Sequence, residues 1–307
     1  MIFNNVVAYQ LDKGQLPDSA EDFALLIEPQ RFTDLLSTED RRTGFFPPTD
    51  ASDELVVDIG GGTLVAALRT DKRSVPGSTL RMMLKEKEKQ AEAQQGGPVG
   101  RKQRKEMRED LMDQLLPKVL PATSILFIII HGEQVFIGAS NLNASDNAVG
   151  FLLTALQGVG LEFPFTTRLP GSMTQWLLED SVDGAGLSVS DFAILEGDGS
   201  SIQWKNHEAD EDDVQKYINQ GKSVTRIRLE YHDTGSELDP ITFTLNDKGI
   251  IQQVKLHQNE DGDTQGGDAV EGGDSDPMSV FMSDAAITAT IMSRIVNSVS
   301  EALGDND

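Results

Sequence analysis

The stretch PGSTLRMMLKEKEKQAEAQQGGPVGRKQRKEMREDLMDQLLPK, residues 76–118, decides how the rest of the chain is read. Pro76-Gly77-Ser78 is a helix-start signal, and the pattern predicts a helix from about Thr79 to Gln95. Gly96-Gly97-Pro98-Val99-Gly100 breaks it, because glycine favours a turn and proline cannot continue a helix ladder. A second helix is expected from about Arg101 to Leu116, stopping at Pro117. The result is a helical hairpin with arms of about 24 Å at 1.5 Å per residue. Leu80, Met83 and Leu84 open the first arm, and Leu111, Leu115 and Leu116 close the second, so the apolar residues meet at the root. The far end is nearly all charged or small, and a helix pair that is apolar only at its root projects into solvent.

The same stretch concentrates the basic charge. Arg81 to Lys118 holds ten basic and seven acidic residues, a net of +3 in a chain whose formal charge is −24. Of 26 basic and 50 acidic residues overall, 16 and 43 remain for the rest of the chain, a net of −27. Arg101, Arg104, Lys105 and Arg108 have i, i+3, i+4, i+7 spacing and share one helical face, and Lys85 and Lys89 are i, i+4 neighbours on the other arm. A row of cations on a projecting arm suits a phosphate backbone, which is recognised by charge and without sequence. The competing reading is an ordinary solvated face, neutralised by Glu86, Glu88, Glu106 and Glu109.

Working outward toward the start, Val6, Val7 and Tyr9 suggest a strand, and Ser19 is placed to cap a helix carrying Phe23, Leu25, Leu26 and Ile27. Gly44-Phe45-Phe46-Pro47-Pro48 reads as a rigid connector, since proline is excluded from a central strand. Leu55 to Asp58 and Thr63 to Leu68 read as strands around Gly60-Gly61-Gly62. After the hairpin, Ile125 to Ile130 is a central strand, Val135 to Ile137 returns, and Val149, Leu152, Leu153 and Leu156 mark an amphipathic helix. The last third begins at Thr174-Gln175-Trp176-Leu177-Leu178. Glu208 to Asp213 opens a helix through Val214, Tyr217 and Ile218. Ile227, Leu229 and Tyr231, then Ile241, Phe243 and Leu245, then Ile250 to Leu256 form an antiparallel meander. Gln258 to Asp276 has seven acidic and no basic residues and reads as a loop. A final helix uses Phe281, Ala285, Ala289, Met292, Val296, Val299 and Leu303 as its apolar face.

Several chemistries find no support. The chain has no cysteine, which excludes disulfides, thiolate zinc sites and a cysteine nucleophile. The four histidines, His131, His207, His232 and His257, are scattered without metal-ligand spacing, and no cofactor or catalytic residue is expected. Asp58-Ile59-Gly60-Gly61-Gly62-Thr63 is similar to the phosphate turn of actin-like ATPases, but the partner motifs are missing, and a glycine hairpin turn is expected instead. A metal-dependent exonuclease is the minor alternative: carboxylates abound, but Asp or Glu two residues before Lys occurs nowhere. No secretion signal is visible at Met1 to Asn5, and the longest apolar run, Ile125 to Ile130, is too short to span a bilayer, so a cytoplasmic protein is expected.

In the order and spacing of its elements, the chain resembles the recombination-associated RdgC family over nearly its whole length. The resemblance is carried by Gly44-Phe45-Phe46-Pro47-Pro48, by Val75-Pro76 before the hairpin, and by Leu115-Leu116-Pro117-Lys118 after it. Met173-Thr174 with Trp176, and Ile218 with Gly221-Lys222, Val224-Thr225, Gly249 and Lys255, extend it. It implies an α+β subunit in three parts and a ring-shaped homodimer through which double-stranded DNA passes. That ring would bind DNA without sequence preference and modulate homologous recombination by restraining the recombinase, as a nucleoid-associated, non-enzymatic protein.

The expected parts are an α/β central unit (residues 1–74 and 119–172), a helical-hairpin tip (75–118) and an antiparallel α+β base (173–307) with an acidic loop at 258–277. The resemblance places Lys205 and Asn206 where the family has a basic pair facing the hole, and Lys118 at the family's basic residue after Leu-Leu-Pro. It puts Leu120 where the family has an aromatic tip contact. The expected DNA contacts are therefore Lys85, Lys89, Arg101, Arg104, Lys105, Arg108, Lys118, Lys205 and Asn206, with Lys222, Arg226 and Arg228 as weaker members. The charge of −24 keeps a second reading open, an acidic relative that mimics DNA and acts through a protein partner such as a recombinase.

Overall fold

The computed structural model describes residues 1–165, 168–182, 186–205, 211–232, 240–256 and 276–304. In chain order, the elements of the first half are β1 (Val6–Lys13), α1 (Ala20–Ile27), β2 (Arg41–Phe46), β3 (Val56–Asp58), β4 (Thr63–Lys72), α2 (Gly77–Gln95), α3 (Arg101–Leu115), β5 (Ala122–His131), β6 (Gln134–Ile137) and α4 (Leu142–Ala155). There follow β7 (Gly160–Glu162), α5 (Leu169–Glu179), β8 (Leu187–Gly197), β9 (Ser200–Lys205), α6 (Glu211–Asn219), β10 (Ser223–Tyr231), β11 (Ile241–Asn246), β12 (Ile250–Leu256) and α7 (Pro277–Leu303). The mixed α+β class expected from the sequence is the one observed, with antiparallel strand pairing. The acidic loop expected at 258–277 falls almost entirely outside the described residues.

The chain forms two compact units, residues 1–29, 47–67 and 126–307 in one and residues 30–46 and 68–125 in the other; β4 and β5 each contribute to both. In the larger unit the strand order runs β5-β6-β1-β12-β11-β10-β8-β9, with β3 beside β4 and β7 beside β1. Val6, Val7, Ala8 and Tyr9 of β1 are all buried, as a strand paired on both sides and covered by helices demands. α7 supplies the apolar stripe read from the sequence: Ala285, Ala289, Met292, Val296, Val299 and Leu303 are buried, with Phe281 partly so. Thr288 fixes the helix by accepting the Ile2 amide at 3.0 Å and donating to the Asp284 carbonyl at 2.7 Å. By length and composition α7 alone among the described helices is apolar enough to cross a membrane; here its buried stripe packs in the core of the larger unit.

Local signals account for most boundaries. The Ser19 hydroxyl accepts from the Asp22 amide at 3.1 Å and caps α1. The Asn246 side chain accepts from the amides of Lys248 and Ile250 at 3.0 and 2.8 Å, and Gly249 takes φ +74°, which closes the β11–β12 turn. Gly60, Gly61 and Gly62 have φ of +86°, +63° and +72° and turn β3 into its antiparallel partner β4.

Two expectations are corrected and one hairpin is added. Gly44, Phe45 and Phe46 are not a connector but the end of β2, and only Pro47 and Pro48 lie beyond it. Of the stripe read for α4, Leu152 and Leu156 are buried but Val149 and Leu153 only partly so, and Ser145 and Ala148 complete the buried face. The Tyr9 hydroxyl lies 2.8 Å from Ser145 Oγ, so a polar position faces inward and the helix is rotated from its purely apolar pattern. The β8–β9 hairpin went unread because register shifts between β8 and β10 and several polar residues interrupt the alternation.

The smaller unit is held by a different kind of contact. Arg69 binds Asp71 through two hydrogen bonds, Nε to Oδ1 and Nη2 to Oδ2, both 2.9 Å. Thr123 Oγ1 donates to the same carboxylate at 2.8 Å. The guanidinium stacks on Phe32 and Phe46, 4.5 and 5.1 Å from the ring centroids. Gly44 allows residues 30–32 to come close, since a Cβ there would sit 2.6 Å from Phe32 Cα and 2.9 Å from the Gln30 carbonyl oxygen.

The Arg69 hydrogen bonds, helped by that from Thr123, hold the Asp71 carboxyl below its ordinary value of 3.8. A lowered folded-state pKa contributes stability that is fully present above the unfolded value and is lost as pH falls through the folded one. Asp71→Asn is expected to cost about 2 kcal/mol at neutral pH, a typical figure for hydrogen bonds to a charged group. It should also flatten the loss of stability below pH 3.8. Denaturant unfolding at neutral and acidic pH checks both, and equal midpoints for the variant and the parent protein at neutral pH would reject the clamp.

Candidate nucleic-acid interface

The hairpin forms as its residues direct, α2 ending at Gly96 in the left-handed conformation (φ +68°) and α3 beginning at Arg101. Its apolar root is a small cluster of Val75, Leu80, Leu84 and Leu111, with Met83, Met107, Met112, Leu115, Leu116 and Val119 packed around it. Beyond this cluster the arms stay together through polar contacts, such as Gln103 Nε2 to Gln95 Oε1 at 3.1 Å. The cations can therefore stand on an exposed surface without being drawn into the core.

Arg101, Arg104, Lys105 and Arg108 are all exposed, and they line one groove together with Gly77, Leu80, Arg81 and Leu84 of α2. Arg81 is the cation that reading the helices one at a time left out. It opens the same basic run and lies i, i+4 from Lys85, but only the packing of α2 on α3 brings it into the lining of the α3 groove. Lys85, Lys89 and Lys118 are exposed as expected, although none of them lines the groove.

Neutralisation is partial. Arg104 Nε lies 2.5 Å from Glu88 Oε1, Lys105 Nζ 3.6 Å from Glu109 Oε1 and Lys102 Nζ 3.9 Å from Glu106 Oε1. The Arg104–Glu88 contact is close but poorly aligned, so the carboxylate oxygen gains charge attraction without a hydrogen bond. The two lysine pairs are exposed i, i+4 contacts, worth at most about 0.5 kcal/mol, which a phosphate can displace. Arg101 and Arg108 have no ion-pair partner among the described residues.

In the larger unit the expected contacts divide differently. Lys205 ends β9 on an exposed position, and Asn206 lies outside the described residues. Arg226 is exposed on β10. Arg228 is committed elsewhere: Nη1 bonds Asp191 Oδ1 at 2.6 Å and the guanidinium lies 5.2 Å from the Phe192 ring centroid. Lys222 is buried, and its ammonium donates to the carbonyls of Gly197 and Ser200 at 3.1 and 3.2 Å and to the Ser200 hydroxyl. With all three protons engaged, it pins the β8–β9 turn and leaves none for a phosphate. Leu120 is 88% exposed. Among the described residues, no group of three or more His, Asp or Glu side chains is placed to hold a metal ion.

These features define an α+β protein whose positive charge is gathered on a two-helix arm while the remainder is acidic. A family model described as "Putative exonuclease, RdgC" matches residues 1–306, and the chain belongs to the RdgC family. It is similar to "Recombination-associated protein RdgC" of Neisseria gonorrhoeae (strain NCCP11945), 29% identical over 276 residues that cover 88% of this chain and 90% of that one. The protein of the same name from Proteus mirabilis (strain HI4320) is 22% identical over 317 residues, covering 98% of both chains. That from Pseudomonas syringae pv. tomato is 25% identical over 265 residues, covering 83% of each. The relatives' names associate them with recombination and name no enzymatic activity.

Lys222→Met separates a structural lysine from a phosphate contact. It should cost about 1 kcal/mol by leaving carbonyl acceptors without their donor, a drop in melting temperature of a few degrees. The salt dependence of DNA binding should not change. A shallower salt slope in the variant would return Lys222 to the interface.

Proposed function

We propose that this protein binds double-stranded DNA without sequence preference, through phosphate contacts made by the α2–α3 hairpin, and modulates homologous recombination by limiting a recombinase's access to DNA. The observation that carries this reading is the exposed row of Arg101, Arg104, Lys105 and Arg108 on a locally positive arm of a protein with formal charge −24. Lys85, Lys89 and Lys118 add exposed cations on the same unit, and Lys205 and Arg226 are further contacts on the larger one. The negative remainder favours DNA at the cationic arm and disfavours it elsewhere, which orients the encounter.

The assembly proposed is a ring-shaped homodimer around the duplex, working at the nucleoid in the cytoplasm. Its support is family membership together with Leu120, an apolar side chain that is 88% exposed and so has contact area to offer a second subunit. Ring closure retains DNA by topology, so modest attraction per phosphate suffices. The protein acts by occupying DNA and not by cutting it.

Changing Arg101, Arg104, Lys105 and Arg108 to Glu together tests this. Each lost phosphate contact should reduce the slope of log K against log salt by about 0.9, so the slope should fall by roughly 3 to 4 and duplex affinity by several hundredfold or more. A gel-shift or anisotropy titration at several salt concentrations measures both, and unchanged affinity would remove the hairpin from the interface. Incubating end-labelled linear duplex with magnesium or manganese should leave the ends intact; shortened product would establish the exonuclease instead.

A further inference from the structure

The groove between α2 and α3 has a feature that duplex binding leaves unused. It is a cleft of about 590 Å³ whose walls are Arg81 on one helix and Arg101, Arg104, Lys105 and Arg108 on the other, and whose floor is Leu80 and Leu84. Gly77 is part of the same lining. A duplex presents phosphates outward and keeps its bases stacked inside. It is also too wide to enter a cleft between helices whose axes pack about 8–10 Å apart. Leu80 and Leu84 are only 7% and 9% exposed, so the apolar surface of the cleft is chiefly the aliphatic stems of the cationic side chains, which would stay uncovered under DNA.

We propose that this groove is a docking site for an acidic peptide segment of a partner protein, which lays carboxylates against the arginines and an apolar side chain along their aliphatic stems. Charge complementarity selects the occupant. Arg101 and Arg108 have no ion-pair partner among the described residues, and a guanidinium takes a carboxylate through two parallel hydrogen bonds. An apolar side chain on the same peptide would cover the exposed aliphatic stems of Arg81, Arg101, Arg104, Lys105 and Arg108, which a string of carboxylates alone cannot do. The inference goes beyond the DNA-binding reading but shares its cations, so an acidic partner and a duplex would compete for the hairpin. Engaging the partner would loosen this protein's hold on DNA.

Gly77 separates the two occupants. A Cβ built there meets nothing within 4 Å, so Gly77→Trp adds bulk to the lining while keeping the carbonyl to which Arg81 Nε donates at 3.1 Å, and duplex binding reports that the fold is kept. The probes are a short fluorescein-labelled Asp/Glu-rich peptide carrying leucine, the same peptide with serine in place of leucine, a duplex, and a single-stranded oligo-dT, each titrated into the full chain by anisotropy.

The leucine peptide is expected to bind at least about tenfold more tightly than the serine peptide, a margin typical of one well-buried apolar anchor. Gly77→Trp should remove that margin while duplex affinity stays within about twofold. Arg101→Glu with Arg108→Glu should weaken both. Equal binding of the two peptides, or full leucine-peptide binding to Gly77→Trp, would overturn the proposal. So would oligo-dT binding that Gly77→Trp abolishes when neither peptide binds, since the groove would then take a base. Peptide binding without duplex binding would sink the DNA reading alone and leave this one standing.

Discussion

Val75, Leu80, Leu84 and Leu111 form the contact on which the hairpin depends. Burying a leucine is worth about 2 kcal/mol, so this cluster provides only a few kcal/mol to hold two helices together. It lies toward the ends where the chain enters and leaves the hairpin, because its leucines fall in the first half of α2 and the second half of α3. That confinement leaves the remaining turns solvated and lets cations occupy a surface that would otherwise have to pack. A longer apolar seam would strengthen the arm and would also bury the face that carries the charge.

The base of the same unit is organised by polar contact instead. Asp71 is almost fully buried and bonded to Arg69 and Thr123, and Phe32 and Phe46 flank the guanidinium. A buried carboxylate is tolerated only when its oxygens are satisfied, and here three donated hydrogen bonds satisfy it. The Gly-Phe-Phe run ending β2 becomes intelligible from this arrangement. Gly44 gives room to the backbone of residues 30–32, Phe45 is core, and Phe46 is one face of the arginine sandwich.

Net charge is a poor guide to what such a protein can bind. At physiological ionic strength a charge is screened over about 8 Å, so a phosphate near the hairpin responds to the nearest side chains and not to the total of −24. The exposed lysine–glutamate pairs do not cancel the arm, being weak and replaceable by a better anion. Arg228 and Lys222 show the opposite case, in which a cation is fully engaged by its own fold. The distinction is between charges that already have a geometrically satisfied partner and charges that do not.

The sequence by itself determined the α+β class, the two helices of the hairpin to within a residue or two, the stripe of α7 and the glycine turns. These depend on local chemistry: helix caps, proline and glycine stops, and apolar periodicity. It also determined which cations share the exposed face of α3, since that follows from 3.6 residues per turn.

Only the tertiary structure decided that Arg81 joins that face across the groove, that α4 turns Ser145 inward toward Tyr9, and that β8 and β9 pair despite their broken alternation. Only it decided that Lys222 is spent on the carbonyls of a neighbouring turn. Each of these is a contact between segments far apart in the chain, or between two helices whose facing is set by how they pack. Spacing along one segment carries no information about what another brings against it.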